Sequence, residues 1–388
     1  MTAPPPARVE LRRVALYVGG LLGPFGGGIT AAMLPELGGS FDVPVTTAGL
    51  ALTLYFVPFA GLQLVSGTLG ERWGRRRTTR IAYVVYALAS VLCAVAPDAG
   101  TFFAGRVVQG AANAFTTPLL VAGLVEAVPA AALSRAVGVF GACQAAGQTL
   151  APLVGALSTT ITWRLAFVVV AAVAVLLALA PPAGAPRPAT TAPRFADLVT
   201  VRMTLVSLAG FASYAGAAGL PFLVSLYAER RFAVSDAAVG FVIVGFGAAG
   251  IACAATWGTV SERWGGGRAA AAGLAGTAVL VALVGLTPAV GWLVAVWTAA
   301  GVLSSLATVG IQNVAAREVP GNRAGAVSVV SAFRFTGGAV APLLLLPLYP
   351  ATRHVGQAQG QPAFLVAGAI ALAGAGCAAA LTRRAPSR

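Results

Sequence analysis

Gly67-Thr68-Leu69-Gly70-Glu71-Arg72-Trp73-Gly74 returns 191 residues later as Gly258-Thr259-Val260-Ser261-Glu262-Arg263-Trp264-Gly265. Each copy lies between long apolar stretches, so the chain reads as a tandem duplication of one hydrophobic unit. Other landmarks repeat with it. Ala151-Pro152 matches Ala341-Pro342, and Glu126 before Pro129 matches Glu318 before Pro320.

Of the 388 residues, 58% are hydrophobic and 9% charged, and the mean hydropathy is +0.86. One soluble core cannot hide that much apolar surface, so the bilayer must act as solvent. A helix needs about 20 apolar residues to cross the hydrocarbon. Polar, proline-rich or charged punctuation leaves twelve such segments: 14–35, 46–68, 78–96, 101–126, 135–157, 163–181, 201–227, 238–260, 269–287, 291–316, 324–349 and 362–381. The fold class expected is therefore an all-α membrane protein of twelve transmembrane helices in two pseudo-symmetric six-helix bundles. The bundles are expected at 14–181 and 201–381, with a tail at 1–13, a Pro-rich linker at 182–200 and a second tail at 382–388.

All 25 basic residues are arginine. With the N-terminus inside, 19 fall in cytoplasmic segments and four in outer ones, which by the positive-inside rule places both termini in the cytoplasm of a multi-pass inner-membrane protein. The first apolar stretch is too long for a signal-peptide core and reads as a retained span. A net charge of +14 does not imply nucleic acid here, because no water-exposed domain is long enough to carry a basic face. Cys93, Cys143, Cys253 and Cys377 are scattered singly, and His354 is the one histidine, so neither a disulfide framework, a metal site nor a histidine-based catalytic site is expected. No cofactor and no enzymatic activity are expected.

Twelve spans in two halves, with Gly67-Thr68-Leu69-Gly70-Glu71-Arg72-Trp73-Gly74-Arg75-Arg76 after the second, resemble the major facilitator superfamily, with Glu71 where aspartate is usual. Within it, Leu34-Pro35, this loop and Arg106-x-x-Gln109-Gly110 look like the twelve-span drug:proton antiporters. The resemblance implies a secondary transporter that rocks two halves around a central cavity. It also implies that Gly67, Gly70, Glu71, Arg72, Gly74, Arg75, Arg76 and Glu126, with Glu262 and Arg263 of the second copy, form a cytoplasmic gate closed in the outward-open state. Physically, the acid can face a helix N-terminus while arginines reach carboxylates at helix ends. The competing reading is that the arginines only satisfy the positive-inside rule and bind anionic lipid headgroups. Gly147-x-x-x-Ala151-Pro152-x-x-Gly155 resembles an antiporter motif with Ala151 in place of its second glycine. It reads either as a seal or hinge, or as ordinary close packing.

Arg106, Gln109, Asn113, Thr116 and Thr117 recur at helical spacing in the fourth segment and share a face. A polar stripe on a membrane helix is expected to look into a cavity. Aligning Glu126 with Glu318 sets Thr298, Ser305 and Thr308 opposite Arg106, Asn113 and Thr116, and Gln312 extends the second stripe. Burying Arg106 or Arg334 costs at least about 2.5–3.5 kcal/mol, so each needs a partner or a wet cavity. For Arg106 the resemblance implies a part in proton transfer, with snorkelling to the outer surface as the alternative. For Arg334 substrate contact competes with a bond to helix carbonyls. Gln144 holds the related position in the fifth segment, and Glu36 is either a proton carrier or a surface residue. Tyr17, Tyr214, Trp292 and Trp297 are candidates to line the cavity, or else interfacial anchors.

No acid falls in the middle of any span, so a neutral or anionic substrate is expected rather than a lipophilic cation. The sequence thus points to a monomeric transporter of a small hydrophobic compound, driven by the proton gradient as an exporter. An uptake symporter or facilitator for an organic anion or sugar is the rival reading. Its partners are the bilayer and the substrate, with no nucleic acid.

Overall fold

The long segments are mostly apolar, and in hydrocarbon each backbone N–H and C=O must be satisfied within the segment itself, which only a helix does for an isolated span. The computed structural model describes residues 6–182, 194–234, 236–349 and 360–382 and is all-helical there, with no strand among the described residues. Most of the linker, His354 and the last six residues lie outside the described residues.

Twelve long helices follow in order: α1 (Pro6–Gly28), α2 (Leu50–Trp73), α3 (Arg75–Val95), α4 (Ala99–Ala127), α5 (Leu133–Thr159), α6 (Arg164–Leu179), α7 (Val201–Phe232), α8 (Asp236–Trp264), α9 (Gly266–Val284), α10 (Val290–Glu318), α11 (Arg323–Leu345) and α12 (Gln361–Ala380). Nine of them, among the described residues, are long and apolar enough to cross a membrane. Each falls on one of the twelve segments read from sequence. Large side chains such as Leu88 and Leu176, each 65% exposed, face outward along them. A water-soluble surface rarely carries apolar patches on that scale.

Local chemistry sets the punctuation. Asp98 caps α4 by accepting from the Thr101 amide at 2.8 Å, and Thr200 caps α7 through the Met203 amide at 3.1 Å. Gly74 and Gly265 take φ of 93° and 85°, which L side chains rarely adopt, and so let the chain turn from α2 into α3 and from α8 into α9. α4 breaks between Asn113 and Thr117, just before Pro118. α7 opens into a π-turn at Tyr214–Ala218, ahead of Pro221. In both, the proline lacks an amide and marks where a second helical segment begins.

By proximity the chain divides into two compact units, one comprising Met1–Leu133, Cys143–Leu198 and Val319–Ser328, the other Ser134–Ala142, Val199–Glu318 and Val329–Arg388. In the first, Gly110 of α4 lies so close to the Tyr55 carbonyl of α2 that a Cβ there would collide with backbone. Gly147 and Gly155 of α5 likewise meet the Leu21 and Ile29 carbonyls, with Ala151 against Gly28. The small-residue motif is therefore a helix-crossing surface, and Phe102, Trp163 and Phe167 close one end with edge-to-face rings. In the second unit, Gly301 of α10 meets the Phe246 carbonyl of α8, and Gly337 of α11 meets the Phe211 carbonyl of α7. These pairs repeat the first unit's crossings at a spacing of about 190 residues. Tyr227, Trp297 and Phe364 anchor that unit's core.

Candidate functional site

At Gly28 α1 passes straight into a 3-10 turn, Ile29–Ala32, and where the α-helical ladder stops its carbonyls can take further donors, which at membrane depth water does not supply. Side chains of α2 and α4 take that place. Arg106, fully buried, donates from Nη1 to the Gly26 carbonyl at 2.9 Å and to Gln109 Oε1 at 2.8 Å. It also donates from Nη2 to the Gly27 carbonyl at 3.2 Å and from Nε to the Ala51 carbonyl at 3.2 Å. Its guanidinium lies 4.4 Å from the Tyr55 ring centroid. Asn113 donates to Tyr55 Oη at 2.8 Å and to the Gly23 carbonyl at 3.3 Å, and accepts from Thr116 Oγ1 at 2.7 Å. Gln109 passes the network on to Ser90 at 2.7 Å.

Arg106 therefore does not snorkel. It is a cation at the negative end of α1, held by main-chain oxygens, an amide oxygen and a ring face, with no carboxylate partner among the described residues. The same device recurs where Arg164 donates to the Ala94 and Ala96 carbonyls at the end of α3, at 2.6 and 3.0 Å.

The α4 stripe is thus taken up by neighbouring helices instead of an open cavity: Arg106 and Asn113 meet α1 and α2, Gln109 meets Ser90 of α3, and Thr116 bonds Asn113 of its own helix. On α10, Ser305 Oγ donates to the Gly250 carbonyl of α8 at 2.9 Å, and Thr298 packs at Gly245. Thr308 is half-buried, and Gln312 is buried beside Gly141. The register expected for α10 is also corrected. Equal crossings at Gly110 and Gly301 put Trp297, not Thr298, in the place of Arg106. Trp297 is fully buried and stacks on Phe246 at 4.5 Å, so it lines no open cavity, while Trp292 is exposed.

Arg334 of α11 is different. It is buried, donates from Nη2 to Tyr214 Oη at 3.1 Å, and lies 4.8 Å from that ring's centroid. Its Nε is buried with no hydrogen-bond partner among the described residues. Its stem rests on Gly210, one turn before the π-turn that begins at Tyr214, and such turns are frequent at functional sites. Gln144 and Tyr17 are half-buried, and Glu36 is exposed on a short helix after α1.

At the arginine-rich end, Arg75 sits between two carboxylates. It donates to Glu71 from Nε at 2.9 Å and Nη2 at 2.6 Å, and to Glu126 from Nη2 at 3.0 Å with Nη1 2.8 Å from the other oxygen. Glu71 and Arg75 are buried and Glu126 is part-exposed. Arg72 lies 5.3 Å from the Phe195 ring, and Arg76 and Arg263 are exposed. Gly70 packs on Leu119, and Gly67 meets the backbone at Ala324. Around Gly67 a polar cluster escaped the sequence reading: Ser66 donates to the Ala114 carbonyl at 2.6 Å and pairs with Ser328 at 3.1 Å, and Asn322 donates to Thr68 at 2.9 Å. Lone small polar residues within apolar runs were its only sequence signal.

In the second copy, Glu262 accepts from the Ser134 and Arg135 amides, in the first turn of α5, at 3.1 and 3.4 Å. The sequence suggested such a helix-terminus contact for the acid of the first loop, but Glu71 pairs with Arg75 instead. Gly258 meets the same backbone, and Glu318 is held by Arg202 at 2.5 and 3.2 Å.

Repeated helices long and apolar enough to span a membrane, with cations buried inside each repeat, define a multi-pass membrane protein built on a duplicated unit. The profile of the Major Facilitator Superfamily matches residues 16–204 and 206–388, and the chain belongs to that family. It is 30% identical over 234 residues to the puromycin resistance protein of Streptomyces alboniger, covering 60% of this chain and 44% of the relative. It is 32% identical over 154 residues to the multidrug efflux pump LfrA of Mycolicibacterium smegmatis, covering 39% and 30%. The matched stretches thus span less than half the length of these relatives. Among solved structures it resembles the human organic anion transporter TETRAN, with TM-score 0.73, 18% identity and coverage of 97% and 100%. It also resembles the E. coli fucose:proton symporter FucP, with TM-score 0.77, 12% identity and coverage of 97% and 100%.

Proposed function

We propose that this chain exports a small hydrophobic neutral or anionic compound in exchange for protons, by alternating access between six-helix bundles at 14–181 and 201–381. One observation carries the charge class. Of the two arginines inside spans, Arg106 is engaged on four sides by protein acceptors, whereas Arg334 keeps a buried donor without a partner. A buried donor left unmade costs about 1–3 kcal/mol, so an acceptor supplied by substrate would be stabilising there. Tyr214 beside it offers a ring face and a hydroxyl to the same ligand. Relatives whose names record puromycin resistance and multidrug efflux support the export direction.

In this reading the protein works as a monomer in the inner membrane with both termini in the cytoplasm, and Glu71, Arg75 and Glu126 hold the cytoplasmic gate. The proton gradient supplies the energy, because only an affinity that differs between inward-open and outward-open states can couple it to transport. The absence of a mid-span acid favours the rival, uptake of an organic anion or sugar.

Everted vesicles with an imposed inside-acid gradient decide between them. Dissipation on adding neutral or anionic compounds is expected, lost in Arg334→Ala vesicles of equal expression. Normal transport by that variant overturns the assignment, and silence across a broad panel favours uptake.

A further inference from the structure

A cavity of about 530 Å³ opens on the flank of the first unit between α2, α3 and α4, lined by Leu62, Trp73, Arg77, Ile81, Ala111 and Phe115 among others. Its walls face outward: Trp73 is 53% and Ile81 50% exposed. Trp73 and Phe115 stack with centroids 6.1 Å apart and planes 17° from parallel, which makes a flat apolar platform. From Arg77 the α3 wall continues through Ile81 to Val85, about 12 Å into the apolar region at 1.5 Å per residue.

The polar end of this groove carries positive charge without an answering negative one. α3 begins Arg75-Arg76-Arg77 with no acid in its first turn and no side-chain cap at Gly74. The first amides of a helix have no internal partner, and cations there oppose the helix dipole. Arg75 is answered by Glu71 and Glu126. Arg76, Arg77 and Arg80 are exposed, with no ion pair among the described residues. An arrangement this unfavourable by itself is stabilised by an anion over the first turn, and the groove below asks for an apolar tail on the same molecule. The second copy has an equally uncapped, acid-free start but lacks the arginine cluster, because α9 begins Gly266-Gly267-Arg268.

We propose that this groove is a binding site for an anionic glycerophospholipid, with its phosphate over the first turn of α3 against Arg77 and one acyl chain along Ile81 and Leu62 on the Trp73–Phe115 platform. The site is separate from Arg334 and depends on no substrate.

The test places the purified full-length protein in phosphatidylcholine nanodiscs and replaces part of the lipid with chain-brominated phosphatidylglycerol or chain-brominated phosphatidylcholine. Bromine quenches nearby indoles, and Trp73→Phe isolates the Trp73 signal. Half-quenching of that signal is expected at a mole fraction of phosphatidylglycerol about five-fold lower than of phosphatidylcholine, since an arginine near an anionic surface is worth about 1 kcal/mol. Arg77→Gln should remove most of that preference. Ala111→Phe, which fills the groove from α4, should weaken quenching by both lipids. Equal quenching by the two lipids, or a preference unchanged in Arg77→Gln, overturns the proposal. So does displacement of bromolipid by a hydrophobic drug with no headgroup preference, which would make the groove a lateral entry path instead.

Discussion

Gly110 against the Tyr55 carbonyl and Gly301 against the Phe246 carbonyl are one helix crossing built twice, 191 residues apart. Beside the first, Arg106 lies over the Tyr55 ring; beside the second, Trp297 lies over Phe246. The two signature loops diverge in the same manner. Arg75 bridges Glu71 to Glu126, whereas Gly266 stands where Arg75 would recur, and Glu262 turns to the amides of α5. Duplication kept the backbone approaches, which allow only glycine, and released the side chains around them. One repeat came to hold its cation by carbonyls and the other its indole by stacking, and Arg334 has no arginine counterpart at Gln144. The scaffold is common to both repeats, so these differences are where a functional site is to be sought.

The comparison breaks most severely at its shared element. Gly110→Leu and Gly301→Leu should each give no monodisperse folded protein on size exclusion in detergent, because the side chain meets backbone that cannot move without parting the helices. If only one variant fails, the crossings are not equivalent.

Next in size comes the pair that replaced each other. Arg106→Leu strands the Gly26 and Gly27 carbonyls in hydrocarbon and should cost about 3 kcal/mol or more. Trp297→Phe keeps a ring on Phe246 and loses no hydrogen bond among the described residues, so only the small cavity it leaves counts, and it should cost about 1–2 kcal/mol. Thermal unfolding in detergent orders them, and equal losses would deny Arg106 its role at the end of α1.

The loops follow. Glu71→Gln leaves a buried arginine with one part-exposed carboxylate and should cost about 2–3 kcal/mol. Glu262→Gln loses only a charge-to-dipole interaction of about 0.3–1 kcal/mol. In the gate reading, Glu71→Gln shifts cysteine accessibility toward the inward-open state more than Glu262→Gln does, and matching labelling patterns would erase the distinction.

The smallest effect belongs to Asp98, whose carboxyl is held below its ordinary value first by the Thr101 amide and then by the Thr101 hydroxyl. A depressed value means the cap is intact above the ordinary carboxylate range and weakens as pH falls through the folded value. Exchange of the Thr101 amide should speed up with acid in the native protein, beyond the intrinsic pH dependence, and lose that extra dependence in Asp98→Asn.

Spans were legible because their length is fixed by the bilayer, and the turns at Gly74 and Gly265 because glycine there follows a repeated charged motif. The meeting of Arg75 with Glu126 was legible too, since opposite charges stood at two helix ends. The partners of Arg106 were not. Three of its four acceptors are main-chain oxygens, which every residue carries, so no residue type announced them. The register of α10 was missed by one residue because it was counted from Glu318, while α4 breaks between Asn113 and Thr117 and α10 runs unbroken, so counting across the break loses a position.

Holding Arg106 by carbonyls has a genetic consequence. A side-chain partner can be exchanged by mutation and rescued by a matching change elsewhere; a carbonyl cannot be mutated away. Arg106 should therefore behave as a solitary constraint: selections for second-site suppressors of its substitutions should find no compensating residue at Gly26, Gly27 or Ala51, and variation along the lineage should leave it without a covarying partner at those three positions.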